Sequence, residues 1–488
     1  MKKNFMWLAA VFSVAVMFSS CDKPDEEGNG NGNGNHAQSD AVYDAVYDAE
    51  AQKTRLQDIA LELMGKFNPD DQRQAVELAD YLVVLYEDYD WDFSEVEDHY
   101  KEDYDFLFSV NRDIAHGEFM PKFATDLLLK AAGRKTYIYK FADIDAEWEA
   151  DEEAHVWKYK GKGNGGLVLK FKGPDNVACE AKLTGEDSDI SYSGTHEIWD
   201  DDIHGYRDVE FEGNLPKKVN FYLKEGSTEL ANLEMSFDVQ KSDRFNYDFT
   251  TKITNITIAG GVKITKHTAA CVYSVKRNNE NLIKAVADLK GFGLIDKADY
   301  QDWVDYWEMY VDMWEERDLH LGTAVAQVDI LDGKLTIKTA TTDGEQFVKD
   351  CDALEEKYDA LEESDKPWFE RYYHQAPYNK DWAALLNKFM TVDMYYGDSK
   401  GIQAQMTWDA CYEDRTARYW DNGEYQEVMY MDWDYMPMIY FPADKTSYNF
   451  GKYFTEKTFN KVINSAEDLI NSYIHLSKRW GEGVEFEF

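Results

Sequence analysis

The feature that most constrains the fold of this chain is an alternation of apolar and polar residues across residues 135–340. Apolar side chains recur at every second position in several stretches, for example at Leu167, Leu169 and Phe171. A period of two is typical of strands that bury one face. Short turn signals separate the stretches, namely Gly173-Pro174, Glu225-Gly226, Gly260-Gly261 and Asp332-Gly333. Because connections this short join antiparallel neighbours, the pattern predicts one large, mostly antiparallel sheet.

Helical periodicity flanks this region on both sides. Leu56, Ile59 and Leu63 follow a three-and-four spacing that places them on one face of a helix. Asn68-Pro69 ends that helix and begins a second one, because Asn is a good N-cap and Pro fits the first helical position. Further helices are expected near residues 119–132, 347–361, 382–390 and 459–473, with an aromatic-rich helix inserted near residues 295–318. The chain is therefore predicted to be an α+β protein with an N-terminal helical unit, a large sheet, and C-terminal helices with a β-hairpin.

The charge of the chain excludes one class of partner. There are 94 Asp and Glu residues against 52 Lys and Arg residues, which gives a net charge of −42. Binding to nucleic acid or to anionic lipid headgroups depends on a basic footprint that releases counterions, and no basic run occurs in the sequence. We therefore expect no nucleic acid partner. The 44% of hydrophobic residues supply enough apolar material for folded cores.

The first twenty residues have the features of an export signal. Lys2 and Lys3 form a basic start, residues 7–18 form an apolar stretch too short to span a bilayer comfortably, and small residues lead to Cys21. The sequence Met-Phe-Ser-Ser-Cys at residues 17–21 resembles the lipobox of bacterial lipoproteins. The resemblance implies cleavage before Cys21 and attachment of lipid, palmitate included, to that residue. The alternative is an ordinary secretory signal followed by an unrelated cysteine, which would leave a soluble protein.

Residues 21–40 are predicted to be the lipid attachment site and a flexible tether, since the Gly-Asn alternation at residues 28–35 cannot bury enough area to order itself. The Lys-then-acids pattern at residues 23–27 resembles the surface-export signals of outer-membrane lipoproteins in Bacteroidetes-type bacteria. It implies a surface-exposed, outer-membrane location, whereas an acid directly after the cysteine, such as Asp22, would imply inner-membrane retention in enteric bacteria. The predicted divisions are a signal peptide (1–20), the tether (21–40), a helical unit (41–133), a sheet domain with an inserted helix (134–340) and a mixed C-terminal region (341–488).

Few motifs that carry chemistry are present in the sequence. The Gly-x-Gly-x-x-Gly match at residues 161–166 precedes a strand instead of a helix, so a turn explains it better than a dinucleotide site. The P-loop, His-Glu-x-x-His and Gly-x-Ser-x-Gly motifs do not occur. Two carboxylates brought together by the fold would leave no local signature, so catalysis on a glycan stays an alternative.

The best candidate for a metal site is the cluster of Asp200, Asp202, His204 and Asp208. Hard oxygen ligands at alternate positions suit calcium. The ligand spacing of an EF-hand loop is missing, however, and a solvated acidic loop explains the same residues. No other cofactor is expected.

Four cysteines remain besides Cys21, and an exported protein can oxidise such residues. Cys179 and Cys271 lie on strand-like segments and are candidates for a disulfide, whereas Cys351 is equally well explained as a buried free thiol. The state of Cys411 is left open.

The segment from residue 419 to residue 440 combines aromatic rings with carboxylates. Its candidate ligand-binding residues are Trp420, Tyr425, Tyr430, Trp433, Tyr435, Asp432 and Asp434. Rings of this kind stack on the C–H face of a sugar while acids accept hydrogen bonds from its hydroxyl groups. Asn422-Gly423 predicts a β-hairpin here, and cross-strand packing of the rings with acids facing water explains the same composition without a ligand.

These features predict a lipid-anchored cell-envelope lipoprotein that acts as a non-catalytic binding or structural module. Its ligand would be neutral or cationic, such as a glycan or another envelope protein. One alternative is a glycan-processing hydrolase, which requires two carboxylates about 5 to 10 Å apart in an open cleft. The other is an assembly component, which requires an uncovered apolar patch of several hundred Å² that docks a partner protein.

Overall fold

A computed structural model places most of the chain in one extensive sheet packed against helices, so the protein has an α+β fold dominated by its sheet. The structure describes residues 47–92, 138–139, 145–200, 205–240, 244–265, 267–291, 322–361, 366–397, 399, 401–421 and 424–476. Cys21, the tether and the predicted helices near residues 119–132 and 295–318 lie outside these residues.

The strands are β1 (Asp90–Asp92), β2 (Ile138–Tyr139), β3 (Ala146–Asp151), β4 (Val156–Gly161), β5 (Leu167–Lys172), β6 (Ala178–Asp200), β7 (Gly205–Glu225), β8 (Thr228–Gln240), β9 (Arg244–Ile253), β10 (Ile256–Thr265), β11 (Thr268–Arg277), β12 (Glu280–Lys290), β13 (Thr323–Ile330), β14 (Leu335–Thr341), β15 (Met390–Tyr396), β16 (Ala404–Asp421), β17 (Glu424–Phe441) and β18 (Thr446–Asn449). The helices are α1 (Ala49–Gly65), α2 (Pro69–Asp88), α3 (Gly344–Asp359), α4 (Ala376–Phe389), α5 (Phe450–Tyr453) and α6 (Glu456–Leu476), with short 3-10 turns at Trp368–Glu370 and Tyr372–His374.

From β5 to β18 the sheet is an antiparallel meander in which each strand pairs with the next one in the chain. The pairing continues through β14 and β15, and so crosses residue 340. Parallel pairs occur at β3 with β5, β1 with β4, and β2 with β7. Short turns explain most of these pairings, because they leave no room for crossover connections, but the connections from β12 to β13 and from β14 to β15 are long, and the second contains α3 and α4.

The turns predicted at Gly173-Pro174 and Glu225-Gly226 are confirmed, since they connect β5 to β6 and β7 to β8, and both predicted hairpins are confirmed as well. Asp332 and Gly333 lie in the turn between β13 and β14, and Asp421 pairs with Glu424 across the Asn422-Gly423 connection. The prediction of a turn at Gly260-Gly261 is wrong, because both glycines lie inside β10. A side chain at Gly260 would collide with the Phe249 ring on β9, so glycine here makes room for a neighbouring aromatic residue.

Three groups of helices cover different parts of the sheet. Helix α2 packs on the end formed by β3 to β8, where Trp148 and Trp157 are completely buried and the Trp157 indole N–H donates to the Leu85 carbonyl at 3.1 Å. Helices α1 and α6 pack on strands between β12 and β17. Helices α3 and α4 pack on β15, β16 and β17.

Helix α1 is tightly bound to the chain around the ends of β16 and β17. The Gln52 side chain is completely buried, donates to the Gln403 carbonyl at 3.0 Å and accepts a hydrogen bond from the Tyr396 hydroxyl. The first residue of the helix, Ala49, donates to the Asp444 carboxylate at 3.1 Å. Because the predicted tether leads into this helix, the chain enters the described structure beside the start of β16 and the end of β17.

Cys179, Cys271, Cys351 and Cys411 are all free thiols, so Cys179 and Cys271 do not form the disulfide that the sequence left open. Cys179 and Cys351 are buried, and burial raises the pKa of the Cys179 thiol. Among the residues described, no helix has the length and apolar character needed to cross a membrane.

Candidate binding surface on the last hairpin

The predicted aromatic and acidic segment forms the long hairpin of β16 and β17, which is paired continuously from Gln405–Tyr440 to Asp421–Glu424. Strand β15 pairs with β16 only at residues 404–406, and β18 pairs with β17 only at residues 438–441. We call residues 404–411 and 434–441 the base of the hairpin and residues 412–421 and 424–433 its distal half. Within the described part of the chain, the distal half is a two-stranded ribbon with no third strand beside it.

The register of the hairpin divides the candidate ligand-binding residues between its two faces, because successive side chains of a strand point to opposite sides. One face carries Trp420, Tyr425, Trp433 and Tyr435, and the opposite face carries Tyr430, Asp432 and Asp434. The fold therefore separates the carboxylates of Asp432 and Asp434 from the rings of Trp420 and Tyr425.

Helix α4 covers the first of these faces at the base. The Trp382 ring stacks on the Tyr435 ring with centroids 5.7 Å apart, and burial raises the pKa of Tyr435 to about 12. The Lys380 ammonium lies 5.6 Å from the centre of the Trp433 ring. The Asn387 side-chain amide occupies the edge of β16, where it donates to the Trp408 carbonyl at 2.7 Å and accepts from the Trp408 N–H at 2.8 Å. At the base, this face is part of the core.

The same face is open in the distal half. It presents five large side chains that are between 37% and 75% exposed, namely Tyr412, Trp420, Tyr425, Met429 and Met431. We call these five residues the aromatic–methionine face. The Trp420 and Tyr425 rings meet edge to face, with centroids 4.8 Å apart and an interplanar angle of 86°.

The charges on this face are few. Arg418 and Glu427 form an ion pair of 2.7 Å between the two rows that carry Trp420 and Met429. Asp414 is exposed and lies across from Met431.

The opposite face of the distal half is covered by the 3-10 turns. Phe369 is buried between the rings of Tyr419 and Tyr430, at centroid distances of 5.2 and 5.5 Å. The Asp432 carboxylate contacts His374 Nδ1 at 2.6 Å and Arg415 Nε at 3.3 Å. Burial raises the pKa of Tyr430, and the neighbouring Asp432 carboxylate adds to that effect. Asp432 therefore fastens the 3-10 turns to the hairpin.

Sequence reasoning missed Tyr412, Met429 and Met431 as members of the exposed face. The signal that could have identified them is the register itself. Counting outward from the Asn422-Gly423 turn pairs Trp420 with Tyr425 and Tyr412 with Trp433, and it places Met429 and Met431 on the same side.

The predicted calcium cluster falls largely outside the described residues. Asp200 ends β6 and Asp208 lies in β7, but their side chains are not described, and Asp202 and His204 lie outside the described residues. Elsewhere in the described chain, no group of three or more His, Cys, Asp or Glu residues is arranged to hold a metal ion. Calcium binding at the cluster stays a prediction.

Comparisons with known proteins give no relative for this chain, since no protein-family model, no curated protein and no solved structure matches it.

Proposed function

We propose that this protein is a lipid-anchored lipoprotein exposed at the outer membrane, and that it works as a non-catalytic binding module through the aromatic–methionine face. The observation that carries the proposal is the exposure of Trp420, Tyr425 and Met429, which are 63%, 73% and 75% exposed on one face of a ribbon. With Tyr412 and Met431, they leave on the order of 500 Å² of side-chain surface open to water. The Arg418–Glu427 ion pair crosses this surface between Trp420 and Met429, and exposed apolar patches of a few hundred Å² bordered by polar groups are often functional.

The contrast with the base supports a binding role for this face. The alternation of the hairpin continues without a register shift from the covered residues Trp408 and Tyr435 to the open residues Met429 and Trp420. Met side chains adapt their shape to a partner, which suits them to a recognition surface. The distal half therefore presents an apolar face that another molecule can cover, as α4 covers the same face at the base.

The position of the anchor fits this role. The tether leads into α1, whose Ala49 is bound to Asp444 just beyond the end of β17. Strand β17 has 18 residues, and at about 3.3 Å per residue its tip lies roughly 55 Å from that attachment point. A lipid on Cys21 would hold the base side of the hairpin, while the aromatic–methionine face stays accessible at the other end.

Glycan binding is the second candidate function, and the exposed Trp420 ring favours it. A sugar can stack on such a ring, and the exposed Glu427 carboxylate, which pairs with Arg418, lies on the same face. A glycan array probed with the chain from residue 21 onward tests this candidate. Binding that Trp420→Ala abolishes would support it, and release of reducing ends would show catalysis and overturn the proposed function.

The location is tested by metabolic labelling with a palmitate analogue, followed by membrane fractionation. The wild-type chain is expected to carry the label and to sediment with the membrane, because several acyl chains hold a protein without help from surface charge. Cys21→Ser should lose the label and appear in the soluble fraction. An unlabelled wild type, or a Cys21→Ser variant that stays with the membrane, would contradict the proposed anchor.

A further inference from the structure

We infer that the partner of the aromatic–methionine face is an amphipathic helix of another protein, apolar on one side and flanked by Lys or Arg. This inference rests on the proposed function and specifies its ligand. Three properties of the aromatic–methionine face support it: the chemistry of its side chains, the charges around it and its length.

The chemistry of the face fits an apolar protein segment better than a sugar. The Trp420 and Tyr425 rings stand at 86° to each other, so they form no flat platform for successive sugar rings. Met429 and Met431, which are 75% and 52% exposed, would lie against sugar hydroxyl groups without giving them strong hydrogen-bond partners. The carboxylate of Asp432, which could accept such hydrogen bonds, is engaged by His374 and Arg415 on the opposite face.

The charge around the face selects a basic partner over a second copy of this chain. Asp414 is exposed on the face, Glu424 is exposed at the tip on the opposite face, and Arg418 is already paired with Glu427, which leaves Asp414 as the unbalanced charge among the described charged residues of the face. The whole chain carries a net charge of −42. Two copies brought together here would place like charges against each other, whereas a partner with Lys or Arg beside its apolar stripe would meet opposite charges.

The length of the face sets the size of the partner. The distal half spans ten positions on each strand, which corresponds to about 30 Å. A helix of about 20 residues has the same length. Its apolar stripe would cover Tyr412 at one end and Trp420 at the other, and would bury an area somewhat below the roughly 800 Å² per partner of a standard protein interface.

The test uses two synthetic 20-residue amphipathic helices as probes, one built from Leu and Lys and the other from Leu and Glu. Their binding to the chain from residue 21 onward is measured by fluorescence anisotropy. The Leu/Lys probe is expected to bind and the Leu/Glu probe to bind far more weakly. In the double variant Met429→Ser and Met431→Ser, the Leu/Lys probe should bind about tenfold more weakly, because burial of two thioether side chains is lost.

The matched control is Val325→Ser, which removes an apolar side chain of similar exposure, 50%, from a different part of the sheet. It should leave affinity unchanged, and circular dichroism checks that each variant is folded. No binding of the Leu/Lys probe, equal binding of both probes, or equal affinity of the double variant and the wild type would overturn the inference.

The probes test only this face, so their result is independent of the lipid anchor. Loss of the Cys21 label would contradict the anchor without changing the probe result. Conversely, if the wild-type chain binds a glycan and Trp420→Ala abolishes that binding, the proposed binding function would stand and the inference of a helical partner would be overturned.

Discussion

Phe441 and Tyr425 lie on the same strand and on the same face of the last hairpin, yet they have opposite environments. Phe441 is completely buried at the base, with its ring centroid 4.9 Å from that of Tyr453 on α5. Tyr425 is 73% exposed at the tip. The strand pattern is the same at both positions, so the difference comes from the helices and from strands β15 and β18, which cover or flank the base of the hairpin and do not reach its tip.

This contrast shows that an alternating aromatic strand does not by itself reveal whether its apolar face belongs to a core or to a binding surface. The base needs Trp408, Tyr435 and Phe441 to hold helices of the same chain. In the distal half, α4 reaches only as far as Trp433 through Lys380, and the large side chains beyond it lie in water with no helix of the described chain over them. We expect mutations at the base to lower stability and mutations in the distal half to affect binding instead.

The largest effect is expected from Phe441→Ala. Removing this completely buried ring leaves a cavity among α1, α5 and the sheet, and should lower the free energy of unfolding by about 4 kcal/mol. The matched substitution Tyr425→Ala, on the same strand and face, should change it by no more than about 0.5 kcal/mol. Urea denaturation of the two variants measures the difference. Similar losses in both would show that the distal half is part of the folded core after all.

A smaller effect is expected from Asp432→Ala on the opposite face of the distal half. The substitution removes the partner of His374 and Arg415, so the 3-10 turns lose their charged contact with the hairpin. The free energy of unfolding should fall by about 2 kcal/mol, since hydrogen bonds to charged groups contribute more than neutral ones. The control is Glu427→Ala, which breaks the exposed pair with Arg418 and should cost less than about 1 kcal/mol. Equal losses measured by urea denaturation would mean that both faces of the distal half are equally exposed.

The smallest effect is a pH dependence at the base of the hairpin. Asp393 on β15 accepts a hydrogen bond from Gln405 at 2.9 Å, and burial raises the pKa of its carboxyl group. The folded state therefore binds the proton more tightly than the unfolded state, and stability falls as the pH rises above the ordinary Asp value of about 3.9. Asp393→Asn should be more stable than the wild type at pH 7, with the difference shrinking at pH 3. Urea midpoints at the two pH values measure it.

Asp381 provides the control of opposite sign. Its carboxylate contacts the Lys357 ammonium at 2.6 Å, and that contact lowers its pKa. Its stabilising contribution is present above the ordinary Asp pKa and is lost as the pH falls through the lowered value. Asp381→Asn should therefore be slightly less stable than the wild type at pH 7, and the difference should disappear in acid. The same sign in both variants would contradict the buried environment of Asp393.

Much of the fold could be predicted from the sequence because its periodicities are local. The three-and-four spacing located α1, α3, α4 and α6, and the two-residue alternation located β5 and β8. The prediction of a turn at Gly260-Gly261 was wrong because these glycines make room for side chains of the neighbouring strand β9, namely Phe249 at Gly260 and Asp248 at Gly261. The residues that flank a glycine pair do not indicate which side chains of a neighbouring strand lie beside it.

The sequence indicated which segment forms the candidate site, but not which of its side chains share a face or stay exposed. Composition indicated the segment from residue 419 to residue 440, and the Asn422-Gly423 turn indicated its hairpin. Which residues share a face with Trp420 depended on register, and which of those stay exposed depended on α4, a helix that precedes the hairpin by more than ten residues. His374, the partner of Asp432, is 58 residues away in sequence.

The amino-acid sequence alone determined the strongly negative charge, predicted an export signal over residues 1–20, and indicated the main helical and strand segments, because each depends on composition or on neighbours within a few residues. The tertiary structure alone decided that Phe441 is core and Tyr425 is surface, and that Asp432 is bound on the face away from the exposed rings. The physical reason is that burial is a property of what packs against a side chain, and here the packing helices and turns come from distant parts of the chain.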